Sequence, residues 1–232
     1  MCYEEITCPS CASRHVKKNG TTANKKQKYR CQACLRQFIT SYTYQGCVKF
    51  VRDLIVPMTL NSSGIRDIAR VLRVSPNTVL KTIRERAAQV TEPRVAPRIR
   101  DLEVDEMWSF IRRKSEQCWL WYGLNRATKR IAAYVLGRRT DDRCEQLIEK
   151  LGACQVANYY TDNWQSYAKT LDTESHRIGK SGTQGIERHN LNFRTHIKRL
   201  HRRTICFSKS GEMHEAVIKL YVNHLNAWQH KL

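Results

Sequence analysis

The sequence predicts a multidomain chain: a small cysteine-rich ribbon, an all-α two-helix unit, and a C-terminal α/β domain on a mixed five-stranded sheet. Three observations predict it. Two C-x2-C pairs fall within the first 34 residues. Apolar residues then recur at helical spacing over residues 45–90, with a Ser-Pro helix start between two apolar faces. From residue 100 come three strand-like runs, the first of them alternating, then a helix, a strand and more helices. A length of 232 residues accommodates these modules. The expected boundaries are 1–42, 43–92, a linker at 93–99, and 100–232.

The net charge is +20. Both halves are basic, with 19 Lys or Arg against 6 acids in residues 1–100 and 22 against 15 beyond. Such an excess points to a polyanionic partner, and nucleic acid is the commonest. No apolar run reaches membrane-span length, and no strongly amphipathic basic helix with Trp or Phe on its apolar face stands out, which argues against a membrane partner. The stretch MCYEEITCPS lacks the basic and apolar regions of a signal peptide, so a cytoplasmic location is expected.

In the first module, Cys8-Pro9-Ser10-Cys11 and Cys31-Gln32-Ala33-Cys34 are separated by nineteen residues. Four soft thiolates in two knuckles suit one tetrahedral structural Zn²⁺. A zinc ribbon follows, with Tyr29, Arg30, Phe38 and Ile39 in short strands and a tight turn at Asn19-Gly20. Forty residues cannot bury an adequate core, so the metal supplies much of the folding energy. Cys2, Cys47, Cys118, Cys144, Cys154 and Cys206 are scattered, and their expected role is packing.

In the second module, Val48, Val51, Leu54, Ile55 and Met58 have helical spacing. Ile65, Ile68, Ala69 and Leu72 form the face of a further helix, and Arg73-Val74 makes a turn. Ser75 is placed as N-cap and Pro76 as the first residue of the next helix, which buries Val79 and Ile83. This pattern reads as a helix-turn-helix. Its second helix would enter a major groove, with Asn77, Thr78, Lys81 and Arg84 as candidate DNA contacts. A plain helical hairpin is the alternative; the basic surroundings and the Ser-Pro start weigh against it.

In the third module, the expected strands are 100–111, 118–124, 130–137, 156–161 and 176–178. Thr140-Asp141-Asp142 is placed to cap a helix over 141–151, a shorter helix follows Gln165, and long helices start near Ile186 and cover 212–229. Asp105 lies within the first strand, Asp162 ends the fourth, and Glu187 opens a late helix. If the first and fourth strands are neighbours, the three acids converge. Three hard oxygen ligands suit Mg²⁺ or Mn²⁺, and two such ions can serve an in-line phosphoryl displacement. Glu187 is the lone acid among nine Lys or Arg in residues 177–209. Arg194 follows it by seven residues, about 700° of helix, and so shares its face within about 20°. Arg188, Asn190, Lys198, Arg199, Arg202 and Arg203 read as DNA-strand contacts. Glu103 shares a strand face with Asp105, and Glu106 is adjacent, so a shifted register is an alternative. His189 reads as buried or phosphate-contacting, because His is a poor Mg²⁺ ligand.

The segments LEVDEMWSF, YYTDNWQSY and GIERHNLNFR resemble the three acidic motifs of the DDE transposases, which have an RNase H-like fold. The resemblance is closest to transposases of the insertion sequence one family and extends over nearly the whole chain. It implies Asp105, Asp162 and Glu187 as the catalytic acids, and Arg194 as the basic partner that holds the DNA end. It implies an enzyme that binds the terminal inverted repeats of its element, nicks the DNA with metal-activated water, and directs the resulting 3′-OH at target DNA. Joining two ends requires a dimer or larger assembly. Two alternatives stand beside it. A zinc and helix-turn-helix repressor would leave the ordered acids unexplained, and another RNase H-like nuclease would have less need of a sequence-reading helix.

Overall fold

The computed structural model describes residues 5–93, 96–152 and 154–228. Cys2, Arg94 and Val95 of the expected linker, and Gln229 at the expected end of the last helix lie outside the described residues. The chain forms two compact units, Met1–Val51 and Arg52–Leu232.

The first unit holds an antiparallel sheet of β1 (Val16–Thr21), β2 (Gln27–Cys31) and β3 (Gln37–Ile39), with β2 in the middle. Asn19-Gly20 does not make the expected turn. It lies within β1, where the register against β2 shifts between Lys18 and Thr21 and Gly20 takes φ +70°. A β-bulge calls for the same left-handed residue as a tight turn, so one dipeptide signals both. The reversal comes later, where Lys25 N–H donates to the Thr22 carbonyl. The core of this unit is Cys8, Cys31 and Phe38, with Ile6, Val16 and Tyr29 against them. Cys47 is exposed, so its expected packing role does not hold.

The helix expected across Val48–Met58 is broken into α1 (Lys49–Asp53) and α2 (Ile55–Thr59). Pro57 explains the break. It has no N–H to give the Asp53 carbonyl, and its ring crowds that oxygen.

In the second unit, α3 (Ile65–Leu72) ends at Arg73, which adopts a left-handed conformation at φ 52°. Ser75 then caps α4 (Pro76–Gln89): its hydroxyl accepts from the Thr78 backbone N–H at 3.0 Å. Val79, Thr82, Ile83 and Ala87 are the buried face of α4. Asn77, Lys81 and Arg84 are exposed.

The main sheet comprises β4 (Arg98–Phe110), β5 (Gln117–Asn125), β6 (Ile131–Gly137), β7 (Gln155–Thr161) and β8 (His176–Ile178), in the order β6-β5-β4-β7-β8. β4, β5 and β6 are antiparallel neighbours, while β4, β7 and β8 run parallel. One face packs against α5 (Asp141–Leu151) and α6 (Gln165–Thr170) through Leu102, Val104, Trp121, Leu147, Leu151 and Tyr167. Near the other, Tyr122 touches Phe193 of α7 (Gln184–His196), which in turn touches Tyr221 of α8 (Gly211–Trp228). No helix among the described residues is long and apolar enough to cross a membrane. The expected cap at Thr140 is absent. Its side chain makes no capping bond, and Asp141 instead reaches α6, accepting from Lys169 at 2.9 Å and from the Ser166 hydroxyl.

In the first turn of α8, His214 is held between Ser208 (Nδ1, 2.7 Å) and Ser109 (Nε2, 3.2 Å), with Arg199 donating to Ser208 at 3.3 Å. Burial, with the Arg199 charge beside it, pushes the imidazole down to about 4. A lowered histidine binds its proton first in the unfolded chain. Stability is therefore full above about pH 6.5 and is lost as the pH falls toward 4, by up to about 3 kcal/mol from this group. Urea unfolding across that window should show the loss, and His214→Gln should flatten it.

Candidate active site and cysteine cluster

β4 and β7 are neighbours in parallel register, with Glu103 opposite Tyr160. Two residues further along both strands, the same alignment brings Asp105 to Asp162, just past the last residue of β7. Among the described residues, Asp105, Asp162 and Glu106 can each offer a carboxylate oxygen within 4.8 Å of the others. Backbone pairing thus creates the cluster.

Each member has its own support. Asp105 accepts from the Asn190 side-chain amide of α7 at 2.7 Å, and Tyr122 donates to that amide's oxygen at 2.9 Å. Asp162 takes the Trp164 backbone N–H at 3.1 Å, which fixes the turn after β7. Glu106 points to the opposite face, where Arg139 Nε (2.8 Å) and the Tyr167 hydroxyl (2.7 Å) bond to it. The Arg139 guanidinium lies between the rings of Trp119 and Trp164, at 5.2 and 4.6 Å. Burial, then the nearby Glu106 charge and that of Asp162, push Asp105 up to about 7. Burial also raises Glu106, against the Tyr167 bond and the Arg139 charge. Carboxylates crowded this way favour a proton or a cation between them.

Glu187 does not join this group. It is exposed, and its nearest polar contact is the Thr183 hydroxyl at 3.4 Å. It does stand one turn before Asn190 on α7. Arg194, one turn beyond Asn190, is half-buried and reaches the Trp108 carbonyl at 3.4 Å. Asn190 and Arg199, expected at DNA, are engaged internally; Arg199 donates to Ser208 and to the Met213 carbonyl at 3.2 Å. Arg84 is paired with Glu212 at 2.8 Å. Arg188, Arg202 and Arg203 are exposed, Lys198 is half-buried, and His189 is buried.

Sequence reasoning missed Glu103 as a helix cap and Arg139 altogether. Glu103 is buried, accepts the Ile186 backbone N–H at 2.6 Å and pairs with Arg126 at 3.2 Å, which ties the start of α7 to β4. Its carboxylate also complements the positive end of the helix. A charged residue within an otherwise buried strand was the available signal.

In the first unit, the sulfurs of Cys8, Cys11, Cys31 and Cys34 all lie within 4.8 Å of one another. Cys8 and Cys34 are 3.5 Å apart, and Cys11 and Cys31 3.6 Å. A tetrahedron of Zn–S bonds of about 2.3 Å has edges of about 3.8 Å, so the cluster has the dimensions of a closed zinc site. The Cys34 backbone N–H, 3.5 Å from the Cys31 sulfur, is the main cause holding that thiol down at about 6.

Residues 99–228 match the family described as IS1 transposase, and residues 42–86 match that described as InsA C-terminal domain. The chain is 46% identical over 120 residues to insertion element iso-IS1n protein InsB of Shigella dysenteriae, covering 52% of this chain and 92% of the relative. It is 44% identical over 121 residues to IS1 protein InsB of Shigella flexneri, at the same coverage. It is 43% identical over 121 residues to IS1 2 protein InsB of Escherichia coli K12, covering 52% of this chain and 72% of that protein.

Proposed function

The chain belongs to the IS1 transposase family, and from that footing we propose that it binds the terminal inverted repeats of an insertion sequence, cleaves the DNA strand there and transfers it to target DNA. The observation that carries the proposal is the approach of Asp105 to Asp162 across β4 and β7. In this reading residues 100–232 are an RNase H-like catalytic domain of DDE type, 43–92 the helix-turn-helix, 93–99 a linker and 1–42 a zinc ribbon. The protein acts in the cytoplasm of a bacterial or archaeal cell, as a dimer or larger assembly that holds two DNA ends.

Asp105 and Asp162 are hard oxygen donors held together at some electrostatic cost, which fits Mg²⁺ or Mn²⁺. Bound there, such ions would activate the attacking oxygen and stabilise the leaving one. Asn190 orients Asp105, and Tyr122 orients Asn190. Glu187 is proposed as the third ligand because it shares the Asn190 side of α7. Glu106 is a second reading for that role, favoured by its closeness to both aspartates. Arg194 is proposed to hold the DNA end. Arg188, Lys198, Arg202 and Arg203 are proposed to hold the strand, and Asn77, Thr78, Lys81 and Arg84 to read the end sequence. The last requires Arg84 to exchange Glu212 for DNA. Cys8, Cys11, Cys31 and Cys34 are proposed to hold one structural Zn²⁺.

The test is cleavage and strand transfer on element-end DNA with Mg²⁺, by the wild type, Asp162→Asn, Glu187→Gln and Glu106→Gln. Asp162→Asn and Glu187→Gln are expected to bind DNA yet neither cut nor join it. If both still cut and join, the proposal is wrong. If Glu106→Gln is dead and Glu187→Gln is active, Glu106 is the third acid.

A further inference from the structure

A cleft of about 240 Å³ is lined by Arg126, Tyr160, Arg177, Ser181 and Gly182 among others. Strand pairing sets its position. Glu103, Tyr160 and Arg177 are register partners across β4, β7 and β8, so they form one row on the sheet. Asp105 and Asp162 lie two residues further along β4 and β7, on the same face and about 6.6 Å further in the strand direction. Cleft and acids are consecutive rows of one surface.

The lining selects an anion. Arg126 lies over the Tyr160 ring at 4.3 Å and also pairs with the buried Glu103 at 3.2 Å, which offsets part of its charge. Arg177 is exposed and donates to the His176 carbonyl at 3.3 Å; among the described residues it has no acidic partner. The Tyr160 ring is not open to a stacked base. Arg126 covers it, and Gly182 packs so close that a Cβ there would lie 2.7 Å from ring carbon Cδ1. What remains is a guanidinium-lined cleft with a serine hydroxyl, suited to a phosphate group.

We propose that this cleft holds one backbone phosphate of the DNA strand that passes over the acids. The cleft row and the acid row are about 6.6 Å apart along the strands, a span of one to two backbone phosphates from the bond to be cut. The cleft thereby sets the register of the strand. The proposal rests on the reading of Asp105 and Asp162 as acting on DNA, but its test does not require cleavage.

The full-length protein is titrated with a duplex across 50–200 mM salt, as wild type and as Arg177→Ala, with melting temperature checking that the variant folds. Arg177→Ala should weaken binding to all sequences alike and lower the salt slope by about 1. Of neutral methylphosphonates placed singly at the first and second phosphates from the cleavage site, one should weaken wild-type binding and leave Arg177→Ala unaffected. An unchanged slope and affinity in Arg177→Ala would overturn the proposal. So would stabilisation by inorganic phosphate that depends on Arg177 while the DNA slope stays unchanged; the cleft would then serve a free anion. Binding that behaves as expected in a protein that never cuts DNA would overturn the catalytic reading and leave the phosphate cleft standing.

Discussion

Asp105→Asn is expected to abolish DNA cleavage and, at the same time, to make the metal-free protein more stable. The activity loss should be at least about 10³-fold, since the change removes a charged ligand from a site that must stabilise several kcal/mol of developing charge. The stability gain follows from the crowding of Asp105 beside Glu106 and Asp162. Its carboxyl is raised to about 7, so above that pH the folded state bears an ionisation cost that the unfolded chain does not. Removing the charge should add about 2–4 kcal/mol at pH 8. The advantage disappears on acidification: the wild type recovers this cost as the pH falls from 7 toward 4, and the variant has none to recover. Asparagine can still accept the bond from Asn190, so the fold is kept. Urea unfolding of both proteins at pH 8 and pH 5, without divalent ions, measures the difference. Saturating Mg²⁺ should then stabilise the wild type by about 3 kcal/mol at a hundredfold excess over Kd, and the variant hardly at all.

Cys31→Ser is expected to unfold the first unit while the second keeps its structure. Among the described residues of the first unit, the buried hydrophobic core is Cys8, Cys31 and Phe38, and two of those three are proposed zinc ligands. Zinc sites of this kind contribute about 10–16 kcal/mol of apparent binding energy, more than so small a core can replace. Metal analysis should give one zinc per chain in the wild type and none in the variant. The dispersed amide signals of residues 5–51 should collapse, those of 52–228 should remain, and affinity for element-end DNA should fall. The metal should also leave on acidification, because protons compete for thiolates. A variant with full zinc content and an intact first unit would remove the metal from the account.

The main sheet was legible because β5 and β6 are short, largely apolar runs, punctuated by Asn125-Arg126 and by the Asp141 helix. The pairing of Asp105 with Asp162 followed once β4 and β7 were neighbours. Other features were not legible, for definite reasons. Glu106 entered only as a shifted-register alternative to Asp105, because adjacent residues on a strand face opposite sides. Asp162, however, lies beyond the end of β7, where carboxylates from both faces can meet. Arg139 sits in the connection after β6, and only the fold brings Trp119 and Trp164 to either side of it. Asn190 and Arg199 were read as DNA-strand contacts, yet a polar side chain can turn inward when an acceptor waits there, as Asp105 and the Met213 carbonyl do. The Asn19-Gly20 bulge carried the chemistry of a turn, and Pro57 was overlooked in an otherwise helical pattern.

The central claim is that Asp105 and Asp162 hold a divalent ion. Replacing Mg²⁺ with Fe²⁺ in the presence of ascorbate and peroxide generates hydroxyl radicals that cut the polypeptide near the bound ion. The cuts should cluster around residues 105 and 162, with a third group near 187 if that acid is a ligand, and should vanish in Asp105→Asn and with excess Mg²⁺. Cuts confined to other parts of the chain, or cuts that persist unchanged in Asp105→Asn, would contradict it.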